Sequence, residues 1–211
     1  MTDPAPQFAD VAGRGYRQAV SHYGCTAGGV GWPPLVILTG QGGKLLGHVD
    51  LADLATRAHG DRGLVQDLDV SRDRVTVRWS STSGCCTAYA EHRTVLAWRT
   101  SRLVVESDTI TKWSADGVAS DIADAAVAGD RDRLLDPAAV PDGVWRSLVT
   151  AAKRAESSYV IPPIDDDSTD GRSSRFELSF TFKSGASATW DIRMVRSGNR
   201  YGWRMDSATP Q

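Results

Sequence analysis

The run Arg74-Val75-Thr76-Val77-Arg78-Trp79-Ser80-Ser81 alternates without interruption between apolar and polar side chains. Successive side chains of a strand point to opposite faces, so Val75, Val77 and Trp79 share one face and the run reads as a half-buried β-strand. Residues 87–98 and 103–111 continue as strands joined by short polar turns, and a further strand is predicted near residues 64–70. Upstream, two apolar runs flank Gly40-Gln41-Gly42-Gly43, a hairpin signature, and residues 51–58 predict one or two helical turns. Before them, Phe8, Val11, Ala12, Tyr16, Ala19, Val20 and Tyr23 recur at helical spacing and predict a leading amphipathic helix loosened by Gly13 and Gly15. Cys25-Thr26-Ala27-Gly28-Gly29-Val30-Gly31-Trp32-Pro33-Pro34 is too rich in glycine and proline for regular structure and reads as a shaped loop.

The pattern changes at Ser114. Val118, Ile122, Ala125 and Ala126 keep helical spacing until Gly129, which suits the left-handed position after a helix end. Asp136-Pro137 and Pro141-Asp142-Gly143 punctuate the chain before a second helix over 144–157. Strands over 175–183, 186–196 and 200–206 close it, linked by Ser184-Gly185 and Ser197-Gly198-Asn199. The expected class is therefore α+β: residues 1–113 form a mainly antiparallel β domain with a leading helix. Residues 114–211 form an α+β roll with helices packed on a curved antiparallel sheet.

Composition suits a globular chain, with 41% of the 211 residues hydrophobic and 24% charged. The net charge is -2, and the arginines are scattered along the sequence, which does not favour nucleic acid as a partner. No apolar run approaches the ~18 residues that span a bilayer, so the chain is not read as membrane-spanning. Met1-Thr2-Asp3-Pro4 has neither the basic nor the apolar part of a signal peptide.

Residues 114–206, helices first and then a meander ending Tyr201-Gly202-Trp203-Arg204-Met205-Asp206, resemble the cystatin-like roll of the nuclear-transport-factor-2-like superfamily. The first half, with its Cys25-to-Pro33 loop, Leu45-Leu46-Gly47 and Cys85-Cys86, resembles uncharacterised exported or lipid-anchored proteins of high-GC actinobacteria. That second likeness implies an extracytoplasmic location, in the cell envelope or secreted, with the cytoplasm as the alternative.

Three cysteines are present. Adjacent α-carbons sit about 3.8 Å apart, below the usual ~4.4 Å minimum for a disulfide, so Cys25 is expected to pair with Cys85 or Cys86 rather than those two with each other. Such a bridge closes a loop of roughly 60 residues, worth about 4 kcal/mol in the chain-entropy account. His22 with the three cysteines lacks the paired spacing of a zinc site, and no motif surrounds His92 and the Cys85-Cys86 pair to mark a thiol nucleophile and its base.

Asp166, Ser168, Asp170, Gly171 and Glu177 fall at the first, third, fifth, sixth and twelfth places of a calcium loop. Ser173 at the eighth place and a strand following argue for an acidic solvated loop instead. Alternation puts Phe176, Leu178, Phe180, Trp190, Ile192, Met194, Trp203 and Met205 on one face of the last strands, with Tyr201 as its single titratable group. Isomerase-like enzymes of the resembled fold hold an acid and a base on that face, so a hydrocarbon wall there predicts no catalytic residue.

The sequence reading is thus a non-enzymatic binding or interaction protein without a cofactor. Its partner is an unidentified protein or a small apolar or saccharide ligand, held through Trp32, Trp190, Tyr201 and Trp203. A small isomerase-like or hydrolytic enzyme, using the C-terminal cone or a cleft between domains, is the alternative.

Overall fold

The structure is a computed structural model that describes residues 5–23, 34–55, 62–83, 87–161 and 171–211. Within them the chain runs β1 (Gln7–Ala9), β2 (Gln18–Tyr23), β3 (Leu35–Thr39), β4 (Leu45–Asp50), α1 (Ala52–Ala55), β5 (Arg62–Val70), β6 (Arg74–Ser83), β7 (Thr87–Arg99) and β8 (Arg102–Trp113). It continues through α2 (Ala115–Ala128), α3 (Asp142–Ala152), β9 (Ala155–Ile161), β10 (Ser173–Phe182), β11 (Ser187–Arg196) and β12 (Trp203–Pro210). The chain divides into two compact units, Met1–Thr111 and Lys112–Gln211.

The expected α+β class, with a leading helix and a helix-covered C-terminal roll, is corrected by this arrangement. Strand holds 54% and helix 21% of the structure, in three antiparallel four-stranded sheets with few helices, so the chain is mostly β. Two local causes stand out. Residues 7–23 are not a helix: Gly13 and Gly15 take left-handed φ values of 62° and 77° and fold the segment into two paired strands, with Phe8 opposite Ala19. The second helix ends at Ala152, where Arg154 at φ 72° turns the chain into β9, a strand that pairs along β10 and completes the last sheet.

In the first unit the sheets β1-β2-β3-β4 and β5-β6-β7-β8 share one core. Val20, Val36 and Leu38 of the first sheet meet Val65, Val75, Val77, Trp79 and Leu96 of the second; each such side chain contributes about 1.5–3 kcal/mol by burial. Gln7 ties β1 to β5, its amide donating to the Leu68 carbonyl and accepting from the Val70 N–H at 3.2 Å. Gly63 admits no side chain, because a Cβ there would lie 2.8 Å from the Trp79 ring.

In the second unit the sheet order is β12-β11-β10-β9, and α2 lies against β9. The Ser114 hydroxyl caps α2 by accepting from the Gly117 N–H at 3.2 Å, and Gly129 ends it at φ 67°. Among the described residues no helix is long and apolar enough to cross a membrane.

Candidate functional site

The inner face of β10, β11 and β12 is the apolar one. Leu178, Phe180, Ile192, Met194 and Met205 are essentially inaccessible, and Phe176, Tyr201 and Trp203 are buried beside them. The Tyr201 hydroxyl donates to the Asp121 carboxylate and accepts from the Leu135 N–H at 2.6 Å, with the Trp113 ring edge-on at 5.3 Å. Burial, and after it the bond to and charge of Asp121, push the phenol far above its ordinary range. It is a neutral structural hydroxyl rather than an acid poised near neutral pH. Trp203 lies under the Arg196 guanidinium, 3.9 Å from the ring centroid.

Trp190, like Phe182 at the end of β10, is less covered than the other aromatics of that face. It sits where β11 pairs with Leu178 on one side and Pro210 on the other, and it is only half-buried. With Arg146, Ser147, Thr150 and Ala151 of α3 it lines a groove of about 380 Å³. The helix has already used the hydroxyl protons: Ser147 Oγ donates to the Gly143 carbonyl at 3.1 Å and Thr150 Oγ1 to the Arg146 carbonyl at 2.7 Å. What remains facing outward is acceptor lone pairs, the guanidinium of Arg146 as donor, and the indole face. Tyr201 and Trp203 do not line this groove. Trp32, the three cysteines and the calcium-loop residues Asp166, Ser168 and Asp170 lie outside the described residues, while Glu177 is on β10 opposite Asp191.

The first unit holds a polar network that sequence reasoning did not assemble. His92 Nδ1 is 2.9 Å from Asp108, and its Nε2 is 3.3 Å from Ser81 Oγ. Thr94 Oγ1 donates to the other Asp108 oxygen at 2.6 Å and accepts from Trp79 Nε1 at 2.8 Å. The Trp79 and His92 rings stack at 4.1 Å. The connectivity is that of a Ser–His–Asp relay, but the His92 side chain is 0% exposed and that of Asp108 7%, while Ser81 is fully buried. The geometry can hold a proton in place; it offers no surface to a substrate. The available signal was His92 and Thr94 standing between Ala90 and Leu96 on the inward phase of β7, where an apolar strand face should have none.

A second groove, of about 410 Å³, opens in the first unit between Val11, Ala12, Gly13, Arg72, Asp73 and Trp98. Its rim is shaped by Asp10, which accepts from the Arg14 and Gly15 N–H groups at 2.8 and 2.9 Å. Desolvation works against the Asp10 charge, but the bonds from Arg14, Gln18 and Gly15, together with the field of Arg72, outweigh it and hold the carboxyl below its usual range. Among the described residues no cluster of three or more His, Cys, Asp or Glu side chains is arranged to hold a metal ion. Comparison with protein-family models, curated proteins and solved structures finds no match.

Proposed function

We propose that the protein is a non-enzymatic binding protein that works outside the cytoplasm, in the cell envelope or as a secreted chain, and takes its ligand in the Trp190 groove of the second unit. The observation that carries this reading is the setting of Trp190: it is a half-buried aromatic on a largely closed apolar face, and it faces a helix turn that presents acceptors and one guanidinium. A saccharide answers that chemistry, with a C–H face to stack on the indole, hydroxyl protons for Ser147 and Thr150, and ring or carboxylate oxygens for Arg146. The extracytoplasmic part rests on the likeness of the first half to exported actinobacterial proteins.

Calorimetric titration of the full chain with a panel of neutral and acidic oligosaccharides tests the reading. Binding that is lost in Trp190→Ala and weakened in Arg146→Ala, with both variants folded, supports it. Oligosaccharide binding untouched by either substitution, or none across the panel, sinks it.

The Ser81–His92–Asp108 chain has the connectivity of a second reading, a hydrolase, which requires the buried Ser81 to become accessible. Labelling of Ser81 by a fluorophosphonate at neutral pH, abolished in Ser81→Ala, would establish it in place of the first.

A further inference from the structure

The cations that look scattered along the sequence gather in the folded first unit. Four of the connections within its two sheets, β1–β2, β3–β4, β5–β6 and β7–β8, fall at one end. The contacts show the two sheets sharing that end: the Arg14 guanidinium lies 5.7 Å from the Trp98 ring, Gly47 of β4 backs onto Leu103 and Trp98, and one groove is lined by the first turn, Arg72, Asp73 and Trp98 together.

Residues 10–17, 40–44, 71–74 and 99–102 carry seven Lys and Arg against two Asp, in a chain whose net charge is -2. Arg74 and Arg99 are shared with Glu106 of β8. Arg14, Arg17, Lys44, Arg72 and Arg102 are exposed and have no carboxylate in ion-pair range among the described residues. Asp10 bonds the backbone of its own turn and Gln18 and lies in the field of Arg72 without an ion-pair contact to it.

Beside these cations stand the two most exposed large apolar side chains among the described residues of this unit. Leu45 is 57% and Phe8 53% exposed. Leu45 follows Lys44 directly, and Phe8 lies 5.9 Å from the Arg17 guanidinium. Both project from the outer face of the first sheet, opposite the phase of Val20, Val36 and Leu38.

We propose that this turn end docks the protein on an anionic membrane surface, with Arg14, Lys44, Arg72 and Arg102 on lipid phosphates and with Leu45 and Phe8 entering the boundary between headgroups and acyl chains. A basic surface alone would suit any polyanion. The aliphatic Leu45 and the aromatic Phe8, held out in water next to the cations, gain from hydrocarbon, which a nucleic acid or an acidic polypeptide does not supply. The attraction is electrostatic at range and acts within about 10 Å at 0.1 M salt, so binding is salt-sensitive.

The full chain should float with vesicles of equal parts phosphatidylcholine and phosphatidylglycerol, not with phosphatidylcholine alone, and should be released by high salt. The triple variant Arg14→Glu, Arg72→Glu, Arg102→Glu should lose at least about tenfold in affinity. Leu45→Ser, with every charge intact, should also weaken flotation. Circular dichroism checks each fold, and the single variants Lys44→Glu and Arg72→Glu serve if the triple does not fold. No flotation with the anionic vesicles, flotation unchanged by charge reversal in folded protein, or flotation displaced by poly-glutamate and indifferent to Leu45→Ser would each overturn the proposal.

Discussion

On the inward phase of β6 and β7, Trp79, Ser81, His92 and Thr94 are buried and bonded to one another and to Asp108, whereas the inward phase of β10, β11 and β12 is hydrocarbon apart from the neighbouring Tyr201 hydroxyl and the Trp203 indole N–H. The polar face follows the rule that buried polar groups find partners, whereas on the apolar one the Tyr201 hydroxyl is bonded but the Trp203 Nε1 is buried without a hydrogen-bond partner among the described residues. The two faces stand at different risk. The apolar face loses contact area gradually when a side chain is trimmed, while the polar one depends on Asp108 accepting from both Thr94 and His92, so a single deletion orphans several groups.

The largest effect should come from the apolar face. Phe180→Ala should cost about 3–5 kcal/mol in urea unfolding, as large aromatic truncations do. Asp108→Ala should follow at about 2–3 kcal/mol, because the Thr94 hydroxyl and a His92 nitrogen lose their acceptor. The contrast sharpens if Asp108→Leu, His92→Leu and Thr94→Val together recover part of that loss. It breaks if the triple variant is worse than Asp108→Ala alone.

Tyr201→Phe should cost about 1–2 kcal/mol, since it leaves the Leu135 N–H without its acceptor while keeping the ring against Trp113. A cost near zero would mean that water replaces the hydroxyl. Asp136→Asn should show the smallest change, visible as a pH dependence. The bond from the Arg200 N–H, then that from Ala138, holds the Asp136 carboxyl below its usual range. A lowered folded-state pKa stabilises the fold above the ordinary carboxylate value and loses that contribution as pH falls through the folded one. The melting temperature of the variant should therefore lie below that of the parent near neutral pH, and the gap should close in strong acid. A gap independent of pH would show that charge is not the cause.

Where the sequence was legible, one short-range signal sufficed. Alternation along residues 74–81 and along the last three strands reports directly which face is buried, and the phase seen at Val75, Val77 and Trp79 and at Phe176, Leu178 and Phe180 is the one those runs display. Residues 8–23 misled because β1 has three residues, too few for alternation to outvote an accidental helical spacing. β9 was missed because the turn before it is made by Arg154, a residue that does not advertise a left-handed φ. The His92–Asp108 pair and the basic end of the first unit needed strand register and turn placement, which join residues far apart in sequence; the polar His92 and Thr94 on the inward phase of β7 marked one side of the pair but not its partner. Of the four aromatic residues expected to bind, Trp190 lines a groove, Tyr201 and Trp203 are buried, and Trp32 lies outside the described residues.

Each of the three sheets pairs its strands in chain order, first with second, second with third and third with fourth. No strand waits for a partner synthesised much later, so the loop-closure entropy of each pairing step is small for a β protein. The expected consequence is kinetic: a sheet can zip hairpin by hairpin as its four strands emerge from the ribosome, and the late step in the first unit is the meeting of two finished sheets, fastened where Gln7 reaches Leu68 and Val70.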